Sequence, residues 1–519
     1  MRRHVSGVCR KIKRERKHHM AWVEQKNVAY SDFEKIFNPA RIAVVGVPAD
    51  KGIGFGSLIF KALQSMKYEG RIYPVNPRGG SFNNFKVYKS IDEIPETIDL
   101  AIIVVASPLV PKTLEACRLK GAAGAEIISA GFKETGTTEG YALEDQIKKI
   151  AQKGIRVIGP NCFGIYCPKS GLTMAPGPDL SRQSGPVGFL AQSGGMSIDF
   201  AQMGKWMGIR FSKMVSFGNG ADLRETELLE YLGNDPETSV IAMYIEGVEN
   251  GRKFFNTLRD VATRKPVIVY KGGLSDSGNR AVTSHTASMG GSRIIWNSLL
   301  DQCNAVQVHG LAEMANASLA FSLLPLRSYK GLTVVGGGGA LGVSACDTAE
   351  AFGLELPSLE HEIVEEILSV LPRPGSSATN PIDAANPFVS PKALKSALLS
   401  AAKDRRVNIQ ILVQLLYHFK SIAASDGTQK LRDIITPPAQ MADAIRDVVE
   451  ITGKPVILVL PNLKKDLEFM EIEEITREAR AAFVDRAIPV FDTLNDALRA
   501  ISHVTSYYEK SIMRSGKRI

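Results

Sequence analysis

From Arg41 onward the chain alternates short apolar runs with amphipathic stretches of helical length. Each apolar run is bounded by Gly, Pro or Ser, which marks a buried strand, and the alternation with helices marks parallel α/β sheets. The first block has strands at 41–45, 71–75, 100–105, 125–129 and 156–158, with a helix at 57–66 after the first. A Gly- and Pro-rich stretch, 168–186, reads as a linker. The second block has strands at 187–191, 213–217, 240–245, 266–270 and 305–308. A boundary at 324–330 leads to a third block, with strands at 332–335, 354–356, 408–413, 455–460 and 488–490. Three blocks of five strands predict an α/β protein of three doubly wound parallel-sheet domains. The boundaries drawn are a tail 1–28 and domains 29–168, 180–325 and 329–508. The second and third blocks both open with a strand running into a glycine-rich turn, Gln192–Gly195 and Gly336–Gly339, the mark of an old duplication.

Composition agrees with this picture. The 519 residues suit about three domains, and 44% hydrophobic with 23% charged residues excludes a disordered or collagen-like chain. No apolar run reaches the ~18 residues of a membrane span, and the six cysteines match no zinc module, so the expected compartment is the reducing cytoplasm with neither membrane nor metal involved.

Charge changes the picture once it is located. The total is +9, but residues 1–19 carry +7 and residues 509–519 carry +3, which leaves the body at −1. The basicity therefore sits in two tails, and no nucleic-acid-binding face is expected. The first tail reads as a basic arm, a targeting segment, or an extension ahead of a start at Met20.

Three turns and three side chains are candidates for chemistry. The turn Gly46–Gly56 follows the first strand and offers backbone N–H groups to a phosphate, but Val47-Pro48 breaks the dinucleotide pattern. The second strand is followed by Asn76-Pro77-Arg78 rather than by the acidic residue that a NAD ribose requires, so a nucleotide with a ribose phosphate, such as coenzyme A or NADP, fits better. Gln192-Ser193-Gly194-Gly195 and Gly336–Gly339 are further strand–helix turns able to hold phosphate. His285 is read as lying in a small, polar, glycine-rich loop, where a neutral imidazole can accept a phosphoryl group. Glu246, at the end of a very apolar strand, is placed to fix the tautomer of that imidazole.

Seven motifs in order resemble one family: Tyr73-Pro-Val-Asn-Pro77, Ile128-Ser-Ala-Gly-Phe-Lys-Glu134, Gly159-Pro-Asn161 with Gly164-Ile165, Gln192-Ser-Gly-Gly195, Tyr244-Ile-Glu-Gly247, Ser284-His-Thr286 and Asn380-Pro-Ile-Asp383. They are similar to the α subunit of ADP-forming (NDP-forming) acetate–CoA ligases, in the succinyl-CoA synthetase superfamily. The resemblance covers about 30–510 and implies a Rossmann-like CoA-binding domain followed by two flavodoxin-like domains. It implies that His285 is the phosphohistidine, with Glu246 its supporting carboxylate. It places phosphate on Ser193, Gly194 and Gly195, and coenzyme A on Pro48, Ala49, Asp50, Lys51, Arg78, Ser129, Ala130, Gly131 and Asn161. It further implies that phosphate attacks a small acyl-CoA thioester, that His285 takes the phosphoryl group from the acyl phosphate, and that ADP receives it. No segment resembles the family's ATP-grasp domain, so ADP/ATP with Mg is expected on a separate β subunit in an α2β2 assembly.

Two departures stand out. The family's Ser-His-Thr-Gly-Ser-Leu-Ala-Gly reads Ser284-His-Thr-Ala-Ser-Met-Gly-Gly291 here, and the third domain's Asn-x-Gly-Gly-Pro-Gly reads Gly337-Gly-Gly-Ala-Leu-Gly342. Rival expectations are a non-catalytic acyl-CoA-binding protein of the same fold, an NAD(P)-dependent oxidoreductase and a basic-tail nucleic-acid binder. The first lacks a reason for His285 with Glu246, the second lacks its fingerprint, and the third would lose binding with the tails.

Overall fold

The computed structural model describes residues 32–48, 54–173, 180–286, 291–386, 389–420 and 431–514; of residues 283–286 the backbone alone is described. The strands in chain order are β1 (Arg41–Val45), β2 (Arg71–Val75), β3 (Ser81–Phe82), β4 (Phe85–Lys86), β5 (Leu100–Ile103), β6 (Gly124–Ile127), β7 (Arg156–Ile158), β8 (Gly164–Tyr166) and β9 (Ser184–Ala191). They continue as β10 (Phe211–Ser216), β11 (Val240–Ile245), β12 (Val267–Lys271), β13 (Val306–Val308), β14 (Leu332–Gly336), β15 (Ile382–Asp383), β16 (Ile409–Val413), β17 (Val456–Val459) and β18 (Val490–Phe491).

Three main sheets form, in the orders β2-β1-β5-β6-β7, β13-β12-β11-β9-β10-β8 and β15-β14-β16-β17-β18. The same winding recurs in each: the block's second strand lies outside its first, and its third, fourth and fifth follow on the other side. The β1, β9 and β14 strands are therefore the places where each winding reverses, and a crevice opens at the carboxyl end of such a strand. The strands are almost wholly buried apolar runs, Leu100–Ile103 and Val456–Val459 among them, as parallel sheets covered on both faces require.

Contacts divide the chain into two compact units. One comprises Met1–Ala201, Phe211–Val261 and Lys271–Trp296; the other comprises Gln202–Arg210, Ala262–Tyr270 and Asn297–Ile519. In the first unit the core of the leading sheet runs from Ala43 and Val45 through Ile103, Leu114 and Ile127 to Ile147 and Val157. In the second, Val335, Ile367, Leu398, Leu412, Ile445, Leu458 and Phe483 form the core of the third sheet.

One strand expectation is corrected. The run 354–356 is no strand, since it makes a single bridge, Gly331 to Glu355, and Pro357 has no N–H with which to extend a ladder. Its place beside β14 is taken by β15, with Ile382 and Asp383 opposite Val335 and Gly336. The structure also adds β8, an antiparallel edge strand on β10 with Met214 opposite Tyr166. No described helix is long and apolar enough to cross a membrane.

Candidate functional site

The cavity that gathers the predicted residues measures about 410 Å³ and belongs entirely to the first unit. Its walls include Ser129, Ala130 and Asn161 from the first block and Gln192, Ser193, Gly194 and Gly195 from the turn after β9. The apolar side chains of Phe55, Val104, Ile128 and Phe163 complete it, with Gly218 and Asn219.

Each wall is held by local chemistry. After β7 the loop 159–163 is tied to the turn that follows β10: Asn219 N donates to Pro160 O at 2.9 Å and Ala221 N to Gly159 O at 2.9 Å. The approach is close enough that a Cβ on Gly218 would lie 2.2 Å from Asn161 O, so only glycine fits there. Asn161 N donates to Ser129 O at 2.9 Å, which holds the two predicted coenzyme-contacting segments together. At the end of β9, Ser193 caps the helix Gly194–Met207, its hydroxyl accepting from Met196 N at 3.3 Å. Gln192 is buried, and its amide oxygen accepts from the backbone N–H of Glu246 and, at 2.9 Å, of Gly247. That amide stitches the phosphate-type turn to the end of β11. The Phe163 ring lies on Gly194, where a Cβ would sit 1.9 Å from ring Cδ2.

A polar network buttresses the cavity. Glu134 accepts from Gly131 N at 2.6 Å and from Phe132 N at 3.1 Å. Asn219 donates to Glu134 and, at 2.9 Å, to Glu144, and Lys133 pairs with Glu144 at 3.1 Å. Burial acts to raise the Glu134 carboxyl, but the Asn219 amide and the backbone donors outweigh it and hold the group below its usual range. Nearby, burial pushes the Glu126 carboxyl up to about 8 and raises the Cys162 thiol, which excludes Cys162 as a nucleophile at neutral pH.

Glu246 is 5% exposed, and its carboxylate accepts from the Tyr244 hydroxyl at 3.2 Å. Lys271 is buried beside it. Its ammonium donates to Glu246 O at 2.7 Å and to Gly272 O, and burial outweighs the Glu246 charge to lower its pKa to about 8. Glu246, Lys271, Pro48, Arg78 and Gly131 do not line the cavity, and Arg78 is exposed. Ala49, Asp50 and Lys51 lie outside the described residues.

The expected glycine-rich loop around His285 is corrected in part. The backbone of His285 belongs to the helix Asp276–Thr286, which Ser275 starts by accepting Gly278 N at 3.1 Å. The many small polar residues concealed the helical period, whereas a Ser cap followed by Asp in the first turn was the available signal. This helix packs against the short 3-10 turn Lys133–Thr135, beside the network that supports the cavity. The His285 side chain is not among those described. Phe55, Phe163, Asn219 and Lys271 are not among the residues expected from the sequence. Asn219 had a signal in the Gly-Asn-Gly turn after a strand, and the two phenylalanines had none.

Residues 40–168 match the CoA binding domain model, and residues 184–321 match the model of the succinyl-CoA ligase like flavodoxin domain. The chain is 38% identical, over 67% of its length and 76% of the relative's, to the acetate–CoA ligase [ADP-forming] I subunit alpha of Pyrococcus furiosus. This chain belongs to the ADP-forming acetate–CoA ligase family. It is also 34% identical, over 91% of its length, to acetate–CoA ligase [ADP-forming] I of Archaeoglobus fulgidus, of which it spans 63%. Among solved structures, the dinucleotide forming acetyl-coenzyme A synthetase 1 of Ca. Korarchaeum cryptofilum, in complex with phosphate and ADP, superposes with a TM-score of 0.77. That match has 30% identity and covers 94% of this chain and 99% of the other. Family and fold thus agree with the motif reading.

Proposed function

We propose that this chain carries the coenzyme A and phosphate half of an ADP-forming acyl-CoA ligase. The observation that carries the reading is the single cavity in which Ser129, Ala130 and Asn161 meet Ser193, Gly194 and Gly195. Phosphate is held at the start of the helix Gly194–Met207, where the helix dipole and backbone N–H groups favour an anion. The thioester lies along the Ser129–Ala130 and Asn161 wall. A phosphate oxygen attacks the thioester carbonyl carbon, the C–S bond breaks, and coenzyme A leaves as its thiol, giving an acyl phosphate. His285 then takes the phosphoryl group, releasing the carboxylate, and Glu246 orients its imidazole. Preorganised donors at the phosphate supply the electrostatic stabilisation that dominates such transfers.

ADP receives the phosphoryl group on an ATP-grasp β subunit that binds the nucleotide with Mg, in an α2β2 assembly. The α-subunit relative in Pyrococcus supports a separate chain, and the longer Archaeoglobus relative supports the same parts joined in one. The test supplies acyl-CoA, phosphate and ADP to this chain with and without its ATP-grasp partner. ATP formed only in the mixture, and lost in His285→Ala, is expected. ATP formed by this chain alone would overturn the division of labour, and unchanged activity in His285→Ala would overturn the phosphohistidine.

A further inference from the structure

Lys271 is 4% exposed, and a buried ammonium needs partners to offset its lost hydration. Its partners join three places on the chain. It donates to Glu246 O at 2.7 Å, at the end of β11, and to Gly272 O, just after β12. It also lies 5.1 Å from the centre of the Trp296 ring, on the helix Arg293–Cys303, within cation–π range. All three places belong to the first unit. Two of them bracket the segment that carries His285. Gly272 opens that segment, its N–H donating to Ile245 O at 2.9 Å. Trp296 closes it: a Cβ on Gly291 would lie 2.3 Å from the ring Nε1, so the chain returns directly against the indole. The third place is the peptide of Glu246, which is gripped from both sides. The Gln192 amide oxygen, from the turn after β9, accepts its N–H, and Lys271 holds its C=O.

We propose that Lys271 is a positioning residue for the phosphorylation of His285. Its ammonium fixes the peptide of Glu246 against both ends of the His285 segment, so that the carboxylate and the imidazole it orients share one frame. The inference rests on the reading above, in which His285 takes the phosphoryl group and Glu246 orients it. Packing alone is a poor reason for a lysine here, because an apolar side chain of the same length would fill the space without losing the hydration of a charge. Burial lowers the Lys271 pKa to about 8 against the attraction of Glu246, so most of the cation survives at pH 7. Lys271 does not line the cavity, so it acts through Glu246 and the ends of the segment rather than on coenzyme A.

The test supplies acetyl phosphate, labelled in its phosphoryl group, to the full chain and to Lys271→Met and Trp296→Leu, and follows acid-labile label on the protein. Circular dichroism verifies each fold, and calorimetry gives the affinity for coenzyme A. Lys271→Met keeps the length of the side chain and removes its donors. Its maximal labelling rate is expected to fall by about tenfold or more, as lost alignment of reacting groups predicts, while the half-saturating acetyl phosphate concentration and the affinity for coenzyme A stay within about twofold. Trp296→Leu removes the ring alone and lowers the maximal rate less. A maximal rate in Lys271→Met within about twofold of the unsubstituted chain overturns the proposal. A loss of coenzyme A affinity in step with the rate overturns it too, since that marks a general structural role. Absence of label in the unsubstituted chain overturns the phosphohistidine reading itself, and the role of Lys271 with it.

Discussion

After β9 the chain enters a helix through Gln192-Ser193-Gly194-Gly195, and after β14 it does so through Gly336–Gly339, two turns of one design in two different settings. At the first, the turn's own partners are neutral: the Ser193 hydroxyl caps the helix and the Gln192 amide holds the end of the neighbouring strand. At the second, the partner is a carboxylate. Asp383 accepts from Gly338 N at 3.1 Å and from Ala385 N at 2.9 Å, so a negative charge already meets that helix start. The two also differ in crowding. Phe163 covers Gly194, whereas a Cβ on Gly337 or Gly338 would meet nothing within 4 Å. A glycine-rich turn is thus a place where an anion can bind, and the groups around it decide whether one is needed.

The comparison breaks most readily at Gly194. In Gly194→Ala the Phe163 ring must leave the turn, which displaces the reacting groups, and phosphate-dependent CoA release is expected to fall about a hundredfold. Activity retained within threefold would show that the packing of Phe163 on the turn is irrelevant. Asn219→Ala tests the polar support that the first turn's cavity has. It leaves Glu134 and Glu144 without their shared donor, and urea denaturation is expected to show a loss of about 1–3 kcal/mol.

A pH test sharpens the picture of the same cavity's buried flank. The folded state keeps a proton on Glu126 up to about pH 8, while the unfolded chain releases it near 4.5. Stability therefore declines as pH rises through that window and levels off above it. Glu126→Gln removes this part of the decline, which the difference in urea midpoint between pH 5 and pH 8 measures. The smallest effect is expected at the second turn: Gly337→Ala shifts stability by no more than about 0.5 kcal/mol, since its new methyl group points into open space. A large loss there would erase the contrast.

Most of the three sheets was legible in the chain, because buried parallel strands read as short apolar runs. β1, β2, β7 and β11 begin and end where the hydrophobic pattern places them. What failed were elements whose existence depends on a neighbour. β15 has two residues and persists by pairing with Val335 and Gly336, and β8 is an antiparallel edge set by the loop that precedes it. The site divides in the same way. Glycine turns and the Gly-Pro-Asn loop announce themselves through composition, and the structure brings Ser129, Asn161 and Ser193 into one cavity. The roles of Phe163 and Asn219 come from side chains meeting across strands far apart in sequence, and no local pattern encodes them.

The central claim is that the phosphoryl group passes from phosphate to His285 within this chain. Incubating the full chain with acyl-CoA and radiolabelled inorganic phosphate tests it most directly. The account predicts acid-labile, base-stable label on the protein, absent in His285→Ala and much reduced in Gly194→Ala. Label that persists in His285→Ala, or a chain that releases coenzyme A in a phosphate-dependent manner yet never becomes labelled, would contradict it.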